Sequence, residues 1–293
     1  MARINLNDNS FGALMMTGAS LSFVVNDFLM KSVFDELSIF QAILLRGLFV
    51  CPILLFFCFK RGQLRVLLNR KDWKIISFRT LLEILITFSF IYALANLTLA
   101  HVTAILQSVP LILTFIGAVV LSEPVGWRRW LAVCFGFVGV LLIIKPGLDG
   151  FSIFSLSALG SAILISIRDV ITRGLSANAP SLFVAFITAV AITLAGGLFT
   201  LTIPWQTPSA SNISFIFAAA FALPAAYFLS IAAVRVGDVS FVTPFRYTAV
   251  VFATLLTALF EQKLPDEFTI VGAIIVVSAG IYCIKREALL EAK

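Results

Sequence analysis

The chain has 293 residues, of which 60% are hydrophobic and 12% are charged, with a formal net charge of +6. A soluble domain carries about 25% charged residues and is at most about half apolar. A water-soluble fold of this length could not bury so much apolar side chain, so the composition excludes an ordinary soluble domain and predicts a membrane protein.

Ten stretches are long and apolar enough to cross a bilayer, which takes about 20 residues. We number them spans 1 to 10, and they cover 11–31, 38–59, 74–95, 99–121, 127–145, 152–172, 181–202, 212–234, 238–260 and 267–285. Span 1 carries polar residues and ends at Lys31, so we expect it to be retained rather than cleaved as a signal peptide. The weakest break is 96–99, where only Asn96 and Thr98 are polar. If this break is not a loop, spans 3 and 4 merge and the count changes.

Lys and Arg residues are distributed unevenly between the loops. With a cytoplasmic N-terminus, 14 of the 21 fall in cytoplasmic segments and three, Lys31, Lys145 and Lys263, fall in outer segments. Because cytoplasmic loops are enriched in Lys and Arg, both termini are predicted to be cytoplasmic, in a cytoplasmic (inner) membrane. The excess of Lys and Arg therefore reports the orientation of the chain in the membrane, and no nucleic-acid partner is predicted.

The two halves of the chain repeat several features in the same order. Span 1 contains Asp27 and Lys31, span 6 contains Asp169 and Arg173, and the offset is 142 in both cases. Spans 4 and 9 each contain a proline. Because five spans is an odd number, the second half must enter the membrane from the opposite side. The sequence therefore predicts an all-α integral membrane protein of ten transmembrane helices in two inverted five-helix repeats. The alternative is that apolar helices look alike by composition alone.

Loose motifs in both halves resemble a known family. They are Arg46-Gly47, Pro110, Leu121-Ser122-Glu123, Trp127, Trp130, Gly136, Gly139 and Lys145-Pro146 in the first half, and Thr243-Pro244-Phe245-Arg246-Tyr247, Glu261, Gly272 and Gly280 in the second. In this order, on ten spans, they resemble the drug/metabolite transporter (DMT) superfamily with its paired EamA domains. The resemblance covers about residues 10–286. It implies a first EamA repeat at 10–146 (spans 1–5) and a second at 152–286 (spans 6–10).

The resemblance also implies a function. Family members transport small organic solutes through a cavity lined by spans 1, 3, 4, 6, 8 and 9. Members with a similar Asn-Asp in span 1 and Pro-Phe/Tyr-Arg-Tyr in span 9 include uptake proteins for S-adenosylmethionine and riboflavin. A secondary transporter of a vitamin-, nucleoside- or amino-acid-like solute, working by alternating access, is therefore expected. A multidrug or metabolite exporter of the same fold is the alternative. The chain has no GxxxxGK[ST] phosphate loop, so direct ATP drive is not expected.

An enzyme or a scaffold is less well supported by the residues. A membrane-embedded enzyme needs a nucleophile and base or a metal cluster, and the chain has one histidine and four cysteines without a CxxC pair. No catalytic residue, metal or cofactor is predicted. The expected partners are a small-molecule substrate and the lipid bilayer. Gly136 and Gly139 permit close helix packing, either inside the chain or in a homodimer. In a non-catalytic scaffold or receptor, charges inside the membrane would be structural.

Charged residues inside spans are the first functional candidates, because a charge at the bilayer centre costs about 2.5–3.5 kcal/mol. Arg79 and Glu83 of span 3 are four residues apart, so they share a helix face and can pair. Glu83 lies near the midplane and is predicted to contact substrate or carry a proton, with a purely structural ion pair as the alternative. For Arg46 in span 2, structural pairing and function are both open.

Prolines mark a second set of candidates. Pro244 in span 9 frees a backbone carbonyl and lets the helix bend, and Arg246 and Tyr247 follow it. A guanidinium beside a bent segment suits a carboxylate, a phosphate or a planar polar ring, so these residues are predicted to contact substrate or a gate. Gln107 and Pro110 form the corresponding polar bend in span 4.

Polar pairs near the ends of spans 1 and 6 complete the candidate set. Asn26-Asp27 is expected near the outer face and Arg168-Asp169 near the cytoplasm. They are either two gates that close alternately, or cations that reach the headgroups with aspartates paired to them. Tyr92 and Tyr227, in spans 3 and 8, are predicted to stack on a flat substrate, with packing or lipid contact as the alternative.

Overall fold

The computed structural model describes residues 6–66, 68–120, 126–145, 152–176, 178–237 and 239–291. Within these ranges the chain is helical and contains no strand, so the predicted all-α fold is confirmed. Leu121-Ser122-Glu123 and Pro146, which contribute to the family resemblance, lie outside the described residues.

Each predicted span corresponds to helical structure. The unbroken spans, which are 1–3, 5–8 and 10, are Leu6–Lys31, Ile39–Lys60, Arg70–Asn96, Trp127–Ile144, Ile153–Thr172, Ser181–Thr200, Ala210–Val236 and Glu267–Glu291. Span 4 consists of two helices, Leu99–Leu106 and Val109–Val119. Span 9 comprises Val239–Val242, the 3-10 turn Thr243–Tyr247, the α-helix Thr248–Leu256 and the π-helical turn Thr257–Glu261. In the described chain, eight spans are long and apolar enough to cross a membrane, and spans 5 and 10 have shorter apolar parts.

The weakest predicted break is a loop. The helix of span 3 ends at Asn96 and that of span 4 begins at Leu99. The Thr98 side chain accepts a hydrogen bond from the backbone N–H of His101 at 3.3 Å and so caps the new helix. Spans 3 and 4 are therefore separate.

The helices pack in a pattern that the two halves share. Span 1 packs along span 8 and span 3 along span 6, while spans 2 and 7, 4 and 9, and 5 and 10 pack against each other. Exchanging every span for the one five places further along maps this set of pairs onto itself. The halves are thus related as inverted repeats require.

Two polar contacts, each between a loop and the first turn of a helix, occupy equivalent positions in the two halves. We call them the latches. Asp72, in the first turn of span 3, accepts hydrogen bonds from Ser176 N at 3.0 Å and Ser176 Oγ at 2.7 Å. Asn212, in the first turn of span 8, donates to Glu36 Oε2 at 2.6 Å. The positions 72 and 212, and 36 and 176, are both 140 residues apart. The repeat is therefore visible in individual contacts.

Spans 5 and 10 approach closely through glycine. A Cβ at Gly139 would lie 2.8 Å from the carbonyl oxygen of Gly272, and a Cβ at Gly272 would lie 2.6 Å from that of Gly139. A Cβ at Gly136 would meet Leu111 and Ala279. These small residues therefore serve packing inside the chain, whereas a homodimer stays a prediction.

Replacing Gly139 tests this contact. We expect Gly139→Ala to lower the free energy of unfolding by about 1–3 kcal/mol, because backbone cannot move away as a flexible side chain can. Gly160→Ala is the matched control, since no atom lies within 4 Å of its new Cβ. Unfolding in lipid nanodiscs measures both variants, and equal stabilities would contradict the packing described here.

Candidate functional site

A cluster of charged side chains joins the two halves inside the membrane-spanning region. Nη1 of Arg168, in span 6, donates to Oε1 and Oε2 of Glu83, in span 3, at 3.0 Å and 2.8 Å. Arg168 also donates to Oδ1 of Asp169, from Nε at 3.0 Å and from Nη2 at 2.6 Å. The Glu83 and Arg168 side chains are 14% and 16% exposed, so little water screens the pair.

Arg79, the partner predicted for Glu83, has a smaller share in this cluster. Its Nη2 lies 3.9 Å from Glu83 Oε2. Its other nitrogens donate to Thr172 of span 6 at 3.2 Å and to Thr188 of span 7 at 2.9 Å. Arg79 thus connects spans 3, 6 and 7, while Arg168 makes the hydrogen bonds to the Glu83 carboxylate. Sequence reasoning did not pair Arg168 with Glu83, because 85 residues separate them.

The polar pair of span 1 lies beside a cation of span 2. Asn26 is 3% exposed, and its Nδ2 donates to Asp27 Oδ1 at 2.9 Å. Among the described residues, Asn26 Oδ1 has no hydrogen-bond partner. Arg46 attracts Asp27 electrostatically, but the described part of the chain holds no ion-pair contact between them.

Tyr227 of span 8 lies between these two groups. Its ring meets Phe23 of span 1 edge-on, with centroids 5.3 Å apart. The charges of Arg46, Glu83 and Arg168 all act on its hydroxyl. Tyr227 is 49% exposed, so part of its ring is not covered by neighbouring helices. We call the following residues the central polar cluster: Asp27, Arg46, Glu83, Arg168 and Tyr227.

The breaks in spans 4 and 9 are supported by hydroxyl groups of neighbouring spans. Pro110 and Pro244 each lie in the first turn after a break. Ser20 of span 1 donates to the carbonyl of Arg246 at 3.2 Å. Ser166 Oγ of span 6 lies 3.4 Å from the carbonyl oxygen of residue 109, and its shorter hydrogen bond, at 2.8 Å, goes to Ala162 of its own helix. Inside a membrane a hydroxyl donor near a helix break stabilises backbone carbonyls that water cannot reach. The sequence analysis did not single out either serine. The signal that could have found them is a hydroxyl residue on a span that packs against a span broken at a proline.

Arg246 and Tyr247 are neighbours in the chain with different surroundings. The Arg246 side chain is exposed. Tyr247 is 6% exposed, and a Cβ at Gly280 of span 10 would overlap its hydroxyl, which has no hydrogen-bond partner among the described residues. Tyr247 therefore packs between spans 9 and 10 and does not border the central polar cluster.

Tyr92 and Gln107 also lie apart from that cluster. The Tyr92 ring packs edge-on against Phe154, with centroids 5.1 Å apart, where span 3 ends and span 6 begins. Gln107 is half-buried in the turn between the two helices of span 4.

Charges of opposite sign hold the end of span 3 and the start of span 4, which the distribution of Lys and Arg predicts to face outwards, and we call this arrangement the outer clamp. Lys31 donates to the carbonyls of Leu94, at 2.8 Å, and Leu97, where span 3 ends. Glu261 accepts from the N–H of Leu99 at 3.2 Å, where span 4 begins. A cation at a helix C-terminus and an anion at a helix N-terminus both complement the helix dipole. Lys31 therefore binds helix carbonyls and not Asp27, the partner considered for it in the sequence.

A family model matches both halves of the chain. It describes the EamA-like transporter family and matches residues 10–145 and 152–285.

Curated proteins and a solved structure are similar over nearly the whole chain. The S-adenosylmethionine uptake transporter of Rickettsia felis is 25% identical over 91% of this chain and 90% of its own. The riboflavin transporter of Rhizobium johnstonii is 27% identical over 96% of this chain and 93% of its own. A crystal structure with 18% identity has a TM-score of 0.67 and covers 96% of this chain and 99% of its own, which supports the fold alone.

A double-mutant cycle tests the ion pair between the halves. We expect Glu83→Gln and Arg168→Gln to show a coupling energy of about 1–3 kcal/mol in unfolding measurements, because either change alone leaves a buried charge without its partner. Glu83→Gln with Arg79→Gln is the matched control and should couple more weakly, since those groups are 3.9 Å apart. Additive effects of Glu83 and Arg168 would contradict the observed geometry.

Proposed function

The chain belongs to the EamA-like transporter family, and on this premise we propose that it carries a small metabolite with a planar ring and polar or charged groups across the cytoplasmic membrane by alternating access. Its relatives are metabolite uptake transporters, so the chain is a multi-pass transporter of a small metabolite. The finer assignments of substrate class, gating and orientation are our proposal.

The observation that carries the proposal is the position of Tyr227 beside the ion pair of Glu83 and Arg168. This pair joins span 3 of one half to span 6 of the other. Tyr227 is 49% exposed, which leaves ring surface that a ligand can reach. A ligand that stacks on the ring and contacts the ion pair would therefore touch both halves, and its binding would be linked to their relative movement.

The chemistry of the central polar cluster favours a substrate with a flat ring and charged groups. An aromatic face binds planar rings by stacking. Arg168 suits a carboxylate, and Asp27 and Glu83 suit a cation. The relatives are named for S-adenosylmethionine and riboflavin, which both contain a planar nitrogen heterocycle. Arg246, exposed in the break of span 9, is a further cation that could contact an anionic group of the substrate.

The repeats at 10–146 and 152–286 supply the moving parts in this proposal. The breaks in spans 4 and 9 leave short backbone segments that can bend without melting a whole helix. Asn26-Asp27, near the outer clamp, forms the outer gate, and Arg168-Asp169 forms the cytoplasmic gate. Both termini are cytoplasmic, as the distribution of Lys and Arg predicts.

Counterflow in proteoliposomes tests this function. We expect the purified protein to exchange labelled S-adenosylmethionine or riboflavin against the unlabelled compound. Tyr227→Ala should raise the half-saturating concentration about 5- to 100-fold, the equivalent of one lost aromatic stacking contact. Tyr227→Phe, which keeps the ring, should remain close to wild type.

Tyr282→Ala is the matched control, because Tyr282 is 43% exposed on span 10 and outside the cluster. Equal loss in both alanine variants would contradict a specific role for Tyr227. Chemical conversion of the compound without translocation would contradict transport itself.

A further inference from the structure

We propose that Asp27, and not Glu83, binds the proton that couples transport to a pH gradient, an inference that rests on the proposed transport function. Among the described residues, three carboxyl groups lie well inside the sequence bounds of spans, away from their first and last residues: those of Asp27, Glu83 and Asp169. Asp169 is 40% exposed and bonded to Arg168. The choice therefore lies between Glu83, the candidate from sequence, and Asp27.

Glu83 is poorly suited to take up a proton because both of its oxygens are occupied. Arg168 donates to them at 3.0 Å and 2.8 Å. Arg79 adds a second positive charge at 3.9 Å. A proton on Glu83 would remove the negative charge that Arg168 and Arg79 share in a largely buried place, and Arg168 would keep Asp169 alone. The contacts of Glu83 therefore favour Asp27 as the coupling carboxyl.

Asp27 has the opposite environment. Its hydrogen-bond donor in the described chain is the neutral amide of Asn26, at 2.9 Å to Oδ1. Arg46 attracts it without ion-pair contact. A proton can bind Oδ2 of Asp27 without displacing any contact that the described residues make.

The amide of Asn26 supplies a second, independent observation. It is 3% exposed, and its Oδ1 finds no donor in the part of the chain that the structure describes. Such an orphaned acceptor is uncommon in a protein interior. If the amide rotates, Oδ1 faces Asp27 and accepts the O–H of the protonated carboxyl, so the pair has a hydrogen bond in either protonation state.

The other charged groups around span 1 are already engaged or further away. Lys31, on the same helix, binds the carbonyls where span 3 ends. Span 9 contributes Glu261, which binds the start of span 4, and span 4 contributes His101, which lies 3.1 Å from Ser155 Oγ. Span 8 contributes Tyr227, which interacts with Arg46. Span 9 also contributes Arg246, whose side chain is exposed. A change of charge on Asp27 therefore acts first on Arg46, the cation that attracts it.

Proton binding would therefore change the state of Arg46. The proton comes from water on one side of the membrane, binds the Asp27 carboxylate, and returns to water on the other side, with no other transfer. When Asp27 is neutral, Arg46 loses its counter-charge and is free to attract an anionic group of the substrate. Because Lys31 of the outer clamp lies one helical turn from Asp27, the same event can bias the outer end of span 1.

Infrared difference spectroscopy of the purified protein in lipid tests proton binding without any substrate. We expect a protonated-carboxyl band to appear as the pH falls from alkaline to mildly acidic. The band should disappear in Asp27→Asn, persist in Glu83→Gln and shift in Asp27→Glu, with all variants checked for monodispersity. Persistence of the band in Asp27→Asn, or its loss in Glu83→Gln, would overturn the proposal.

Transport provides the second readout. With labelled S-adenosylmethionine or riboflavin as the probe, the wild-type counterflow rate should depend on pH, whereas the Asp27→Asn rate, whatever its size, should not. A pH-dependent rate in Asp27→Asn would overturn the assignment. If neither compound is exchanged by the wild type, the substrate proposal fails, while the infrared result still decides whether Asp27 binds a proton.

Discussion

The ion pair between Glu83 and Arg168 is the contact on which the interior of this protein depends. In the hydrocarbon region no water satisfies a polar group, so a charge must find its partner on another span. Glu83 finds it in the other half, and Arg168 then extends the link to Asp169. Since Tyr227 lies near this pair, the contact that stabilises two buried charges also marks the place where we propose that a ligand binds both halves.

The packing of the helices is related by the exchange of the two halves, whereas Glu83 and Tyr227 of the central polar cluster have no counterpart in the other half. The two latches, the two broken spans and the paired helices all follow the exchange of halves. By the same 140-residue offset, Glu83 corresponds to Leu223 and Tyr227 to Thr87. Repetition therefore explains how the chain folds, whereas unrepeated residues such as Glu83 and Tyr227 give the central polar cluster its chemistry. This division agrees with a family in which one architecture serves different metabolites.

The sequence predicted the fold well because the signals for membrane spans are local. Apolar length defines each span, and Thr98 is enough to separate spans 3 and 4. The site was predicted less well, because its partners come from distant parts of the chain. The pairing of Arg79 with Glu83 was predicted because the two residues share a helix face. The pairing of Arg168 with Glu83 was not predicted. Tyr247 shares a motif with Arg246, but the rotation of the 3-10 turn buries its ring against Gly280.

The measurement that tests the account most directly is the sidedness of two equivalent loops. In a variant whose four cysteines are replaced, Asp35→Cys and Asn178→Cys each introduce a single thiol in the loops after spans 1 and 6. If the halves are inverted in lipid, a membrane-impermeant maleimide added outside intact cells labels position 35, and labels position 178 only after the membrane is opened. Labelling of both positions from the same face would contradict the inverted arrangement and the transport mechanism built on it.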